Sequence, residues 1–324
     1  MMTQQQDSPI FIIGRQHSGN TMLATILGQA PEVFCLKGEG IFFEHWRRAN
    51  QLAPGKKARQ VFQLIRDGAN HSQNVPDDLL GILRNEAQND VAAHSLYALG
   101  MTHLAEQQGA ARWAQKATSY VFHVDSILDV FPEARLLFLV RNPLDLAASK
   151  RRRHGSDMQL VRTVWGWNQG VRLAQEYQQT HPERVLLIRY EDLVQQPLSV
   201  SERVFDFIDL SFDSSYTQVD HVNRSETPYN DTSQQHGINE SRVFYYPGEL
   251  SPEEEQCVRT LSNRSLLSAL YADLPPPRMP STFRHLPTMM KLLVSGGVHL
   301  ATDHWRQFRA APRHAIRRVY ERLR

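Results

Sequence analysis

Apolar residues in this chain gather into short unbroken runs, separated by stretches whose apolar positions recur every three or four residues. Ile10 to Ile13 is the first run, four apolar and mostly β-branched residues, the pattern of a strand buried on both faces. Ser18-Gly19-Asn20-Thr21 then opens a helix with Met22, Leu23, Ile26 and Leu27 on one face. Further strands are predicted at Glu32 to Leu36, Arg112 to Lys116, Arg135 to Val140 and Val185 to Ile188. Helices are predicted at Ala58 to Asp67, Asp77 to Asn89, Val91 to Gln108, Val121 to Phe131, Pro143 to about Arg152, Met158 to Thr180, Ser201 to Ile208 and Pro252 to Tyr271. Ile41-Phe42-Phe43 packs inward, and Asp213 to Tyr246 is polar and irregular. Strands alternating with helices mean a parallel sheet wrapped by helices, an α/β fold in three layers. The helical block 50–110 interrupts that alternation as an insertion, of the kind that covers an active-site mouth.

Strand, tight loop and helix N-terminus form an anion-binding geometry, because unpaired backbone N–H groups converge there. The spacing of Gly14 and Gly19 fits a nucleotide triphosphate loop, but Asn20 stands where that loop carries lysine. What remains is either an anion cradle, with Arg15 and His17 as its cations, or a strand-to-helix turn with no ligand. Gly14, Lys116, Arg141 and Arg189 all end or follow strands, where ligands of parallel sheets sit. Cations at several such ends suit a multiply anionic ligand; taken singly, each is equally a solvated strand end.

The 324 residues can bury one large core or two modest ones. A formal net charge of +2 gives no reason to expect nucleic acid as a partner. Cys35 and Cys257 are too far apart in sequence for a disulfide framework or a metal-ligand spacing, and no metal is expected. They suit a reducing compartment, and the polar residues Met1 to Ser8 lack the apolar core of a signal peptide, so a cytoplasmic location is expected.

Three blocks together resemble the sulfotransferase family that uses 3′-phosphoadenosine-5′-phosphosulfate (PAPS). GRQHSGNTML, from Gly14, is similar to the family's loop around the 5′-phosphosulfate. RNPLDLAAS, Arg141 to Ser149, is similar to its 3′-phosphate segment. KGEGIFF, Lys37 to Phe43, looks like the E-x-x-F-F segment of heparan-type members, where the Glu is the catalytic base. Softer likenesses are Lys116-Ala117-Thr118 and RYEDL, Arg189 to Leu193. The resemblance implies a P-loop-like sulfotransferase architecture over 8–274. It makes Glu39, His17 and Lys116 the catalytic candidates. Arg15, Gln16, His17, Ser18, Gly19, Asn20, Thr21, Arg141, Ser149 and Arg242 become the cofactor-binding candidates. PAPS is then the co-substrate, adenosine 3′,5′-bisphosphate (PAP) the product, and the acceptor a small molecule or glycan bearing a hydroxyl or an amine. His17 departs from the family, which has Lys or Arg there; Arg15 or Lys116 would supply the missing charge. A P-loop nucleotide kinase and a catalytically inactive nucleotide-binding module stay open as alternatives.

Pro275-Pro276-Pro277 marks the start of a basic tail, 275–324, with arginines at 306, 309, 313, 317, 318, 322 and 324. Apolar residues recur among them. The tail is expected to be helical, either lying on an anionic membrane surface or docked on the domain or on a second copy of the chain.

Overall fold

The computed structural model describes residues 8–69, 73–154, 158–219, 238, 240–278, 290 and 294. The chain divides into two compact units, Met1–Leu139 with Tyr177–Asn239, and Val140–Glu176 with Glu240–Arg324. The arginines expected in the tail lie outside the described residues.

The first unit is built on a five-stranded parallel sheet, with strands β1 (Ile10–Gly14), β2 (Val33–Leu36), β3 (Arg112–Ala117), β4 (Arg135–Val140) and β5 (Val185–Arg189) in the order β2-β3-β1-β4-β5. Every residue of β1 is buried, as its unbroken apolar run predicts for a central strand. β1 pairs in parallel with β3, Ile12 opposite Lys116 and Ile13 opposite Ala117, and with β4, Gly14 opposite Leu139. Its side chains alternate between two cores. Ile10 and Ile12 pack with Leu23 and Ile26 of α1 (Asn20–Leu27) and with Val204 and Phe205 of a later helix. Phe11 enters an aromatic cluster, with ring centroids 5.5 Å from Trp113, 5.8 Å from Phe131, 5.9 Å from Phe43 and 6.0 Å from Tyr120. Such contacts favour edge-to-face geometry, and Phe11 meets Trp113 at 88°.

The helices that follow are α2 (Phe42–Asn50), α3 (Pro54–Ala69), α4 (Asp78–Ala87), α5 (Ala93–Gln107), α6 (Val124–Val130), α7 (Pro143–His154), α8 (Met158–Thr180), α9 (Tyr190–Gln195), α10 (Pro197–Phe207), α11 (Pro252–Leu261) and α12 (Arg264–Leu270). Helices α3 to α5 lie between β2 and β3, within the block 50–110. Phe42 and Phe43 pack inward as expected, from the first turn of helix α2. Two expectations need correction. The stretch Val121 to Phe131 is a 3-10 turn, Ser119–Phe122, followed by the shorter α6. Pro252 to Tyr271 is two helices, broken at Ser262-Asn263, where Asn263 Oδ1 caps α12 by accepting from Leu266 N at 3.2 Å.

The second unit has its own core, in which Leu144, Ala147 and Ala148 of α7 meet Leu160 and Val164 of α8, Tyr246, and Cys257 and Val258 of α11. Pro143 occupies the first position of α7, where its missing N–H costs nothing. Asn142 caps that helix, its Oδ1 accepting from Asp145 N at 2.8 Å. Among the described residues no helix is long and apolar enough to cross a membrane, and no group of three or more His, Cys, Asp or Glu could hold a metal ion.

Candidate active site

In the first unit the loop after β1 turns back on itself, with Ser18 N–H donating to the Arg15 carbonyl at 3.1 Å. His17 adopts a left-handed backbone conformation, φ 72°. Gly19 caps α1 at φ 96° with no side-chain cap; a side chain there would be strained, and a Cβ would come 2.7 Å from the Tyr190 ring. Asn20 explains how the loop does without lysine. Its Nδ2 donates back to the Gly14 carbonyl at 2.9 Å and locks the two ends of the turn together. The Ser18 hydroxyl and Asn20 Oδ1 are buried at the helix N-terminus with no partner among the described residues. Such groups are rare in native proteins and mark strain or a place for a ligand. Arg15 lies over the Phe122 ring at 5.8 Å, Gln16 is exposed, and His17 and Thr21 are half-buried.

The neighbouring strand end carries a lysine–glutamate ion pair. Lys116 Nζ lies 2.9 Å from Glu39 Oε2, and Thr118 N–H donates to Glu39 Oε1. The lysine side chain is 11% exposed and the glutamate 39%, so the carboxylate is anchored from behind and open in front. A carboxylate has about four lone-pair sites; two bonds leave capacity for a hydroxyl or amine proton. Glu39 is held in place by its neighbour: Gly40 N–H donates to the Lys116 carbonyl at 2.8 Å, as a further rung beside β3. A Cβ at Gly40 would sit 2.8 Å from Gln115 Cγ and 3.0 Å from Tyr120 Oη. The Tyr120 hydroxyl accepts from Phe42 N at 2.9 Å, and Tyr97 donates to Gln115 Oε1 at 2.7 Å. Since Ile13 of β1 stands opposite Ala117, this pair lies at the strand edge from which the glycine loop departs.

In the second unit Arg141 directly follows β4 and is buried. Its guanidinium donates to the Arg242 carbonyl, lies 3.7 Å from Asp145 Oδ2, and sits over the Tyr245 ring at 5.6 Å. Arg242 lies over the same ring at 5.2 Å. Trp167 N–H donates to the Arg141 carbonyl at 2.8 Å, so this tryptophan packs within the unit. Ser149 is buried on α7, about two turns beyond Arg141.

The structure thus joins Glu39 with Lys116 in one unit and Arg141 with Arg242 in the other. Sequence reasoning missed Tyr97, Gln115 and Tyr120, whose polar ends meet only in three dimensions. It also missed Asp145 and Tyr245. A signal for Asp145 was present: an acidic residue three positions after Asn142 is a helix-start pattern.

No curated protein sequence matches the chain. Two sulfotransferase domains are among the solved structures that share its fold. The sulfotransferase domain from the olefin synthase of Synechococcus PCC 7002 is 19% identical with a TM-score of 0.56, over 83% of this chain and 96% of that one. The sulfotransferase domain from the curacin biosynthetic pathway is 20% identical with a TM-score of 0.53, over 83% of this chain and 99% of that one. A family model described as "Sulfotransferase family" matches residues 9–214, well over half of the sequence. The parallel sheet with a glycine loop after its first strand agrees with that match, and the chain belongs to the sulfotransferase family.

Proposed function

We propose that the protein moves a sulfuryl group from PAPS to a hydroxyl or amine of a small-molecule or glycan acceptor, with Glu39 as general base. The observation that carries this reading is the Glu39–Lys116 ion pair at the strand edge where the lysine-free glycine loop begins. PAPS supplies the sulfuryl group on a phosphate leaving group. The loop's amides, the unpartnered Ser18 hydroxyl and Arg15 fit its 5′-phosphosulfate. Arg141, Ser149 and Arg242 are the residues read as holding its 3′-phosphate, for which planar guanidinium forks suit a dianion.

Glu39 accepts the proton of the attacking hydroxyl or amine as the new S–O or S–N bond forms and the bond to the 5′-phosphate oxygen breaks. Lys116 and Thr118 N–H aim the Glu39 carboxylate before that transfer. His17 can donate one hydrogen bond to the departing oxygen from either tautomer. Phe42 and Phe43, which follow Glu39 in the chain, pack their rings into the aromatic core.

The test separates binding from chemistry. PAP at about a hundred times its dissociation constant should stabilise the wild-type protein by ~2.7 kcal/mol against thermal unfolding. Glu39→Gln should keep that stabilisation and lose turnover by ~100-fold or more, the scale of a removed general base. Arg141→Ala should lose the stabilisation itself. Wild-type turnover in Glu39→Gln, measured with labelled donor across a panel of hydroxyl and amine acceptors, removes Glu39 from the base role. Stabilisation by Mg-ATP but not by PAP overturns the donor assignment.

A further inference from the structure

Asp145 is the third residue of α7 and is completely buried. Buried carboxylates are costly unless every oxygen is paired, and this one is. Oδ2 accepts from Asn142 Nδ2 at 2.8 Å and from Phe244 N–H at 2.9 Å, and Oδ1 accepts from Tyr246 N–H at 3.1 Å. Both backbone bonds go to a segment a hundred residues further along, and they fall on either side of Tyr245. The Tyr245 hydroxyl closes a third bond onto the same residue, donating to the Asp145 carbonyl at 3.3 Å. One aspartate therefore fastens three consecutive residues. It does so against local preference: Phe244 is held at φ 51°, a left-handed conformation that costs a bulky residue energy.

Between the two fastened amides stands the ring that both guanidiniums share. Arg141 lies over it at 5.6 Å and Arg242 at 5.2 Å, and Arg141 also donates to the Arg242 carbonyl. Two cations brought to one aromatic ring repel each other, and the aspartate 3.7 Å from Arg141 offsets part of that repulsion. The same contacts hold both guanidiniums at one place. Preorganised donors bind an anion without spending energy on gathering them.

We infer that Asp145 is a positioning residue which, through Tyr245, holds Arg141 and Arg242 together as a preformed clamp for a phosphomonoester. This rests on the reading of Arg141 as the 3′-phosphate contact. Asparagine at 145 can accept from only one of the two backbone N–H groups, because its own NH2 would face the other. The clamp then loosens although neither arginine is touched.

The experiment is calorimetric titration of PAP and of adenosine 5′-monophosphate, which lacks the 3′-phosphate. Wild type should prefer PAP. Asp145→Asn should cut that preference by about tenfold or more, the scale of one lost charge-assisted hydrogen bond, while affinity for the monophosphate changes little. Tyr245→Leu should do the same, and Tyr245→Phe, which keeps the ring, should retain most of the preference. A merely structural role would weaken both nucleotides alike. An unchanged preference in Asp145→Asn, with the preference lost in Arg141→Ala, overturns the inference and leaves the reading of Arg141 standing. If Asp145→Asn does not fold, Tyr245→Leu decides, and an unchanged preference there overturns the inference. A wild-type protein that binds both nucleotides equally overturns the reading of Arg141 and the clamp with it.

Discussion

Gly40 is the position where a single added atom should matter most. Its amide bonds to the Lys116 carbonyl and draws the backbone against β3, leaving 2.8 Å between an added Cβ and Gln115 Cγ. Gln115 cannot retreat, since Tyr97 bonds its amide oxygen and its side chain is fully buried. In Gly40→Ala the displaced group is therefore the segment carrying Glu39, whose carboxylate must meet Lys116 and Thr118 N–H together. A shift of about 1 Å at a reacting group costs ~100-fold in rate. Gly40→Ala should lower kcat on that scale while PAP still stabilises the protein. Steady-state kinetics beside a thermal shift checks this, and unchanged kcat would mean that Gly40 does not set the position of Glu39. The glutamate and its two phenylalanines were legible in the sequence as a motif. The glycine's role was not, because it depends on a glutamine seventy-five residues away.

At the scale of elements, ends were decided by polar side chains and interiors by apolar periodicity. Helix α11 shows the first. Ser251 Oγ accepts from Glu254 N at 3.2 Å, and Glu254 Oε2 accepts from Ser251 N at 2.9 Å, a reciprocal capping box with Pro252 at the first position. Ser251→Ala should cost ~1 kcal/mol of stability, read from denaturant unfolding of the full chain; no measurable loss would mean that water replaces the cap. The β-strands were foreseeable because buried parallel strands are apolar on both faces, as β1 and β4 are. Helix α2 was not foreseeable. Its run of two phenylalanines is as compatible with a strand, and the aromatic core behind β1 chose the helix. The break between α11 and α12 carried a local cue in Asn263, which the apolar periodicity on either side concealed.

At the scale of the whole molecule, each compact unit encloses its own core, and each core buries one free cysteine, Cys35 in the first and Cys257 in the second. Burial pushes the Cys35 thiol up to about 12 and the Cys257 thiol up to about 11. Both stay protonated where an unfolded thiol, near 9.0, ionises. The sign follows: the folded chain holds protons that the unfolded chain releases, so these thiols subtract stability as pH rises above 9. Reaction with a thiol reagent at pH 8.5 should be slow in the native protein and complete for both cysteines in denaturant, because only the thiolate attacks. Rapid labelling of one thiol in the native state would mean that its unit opens locally. The bland spacing of these two residues was enough to set aside a disulfide framework; their burial was a property of two separate cores.

The sequence by itself determined the class of fold, the order of its strands and helices along the chain, and the places where cations and a carboxylate follow strand ends. It could do so because burial on both faces, helical periodicity and turn chemistry are local properties of the chain. Tertiary structure decided what those residues do to one another. Lys116 meeting Glu39 and Asp145 fastening the residues on either side of Tyr245 are contacts between residues 77 to 101 positions apart. Their existence depends on strand register and helix packing, which bring together groups that no window along the chain contains.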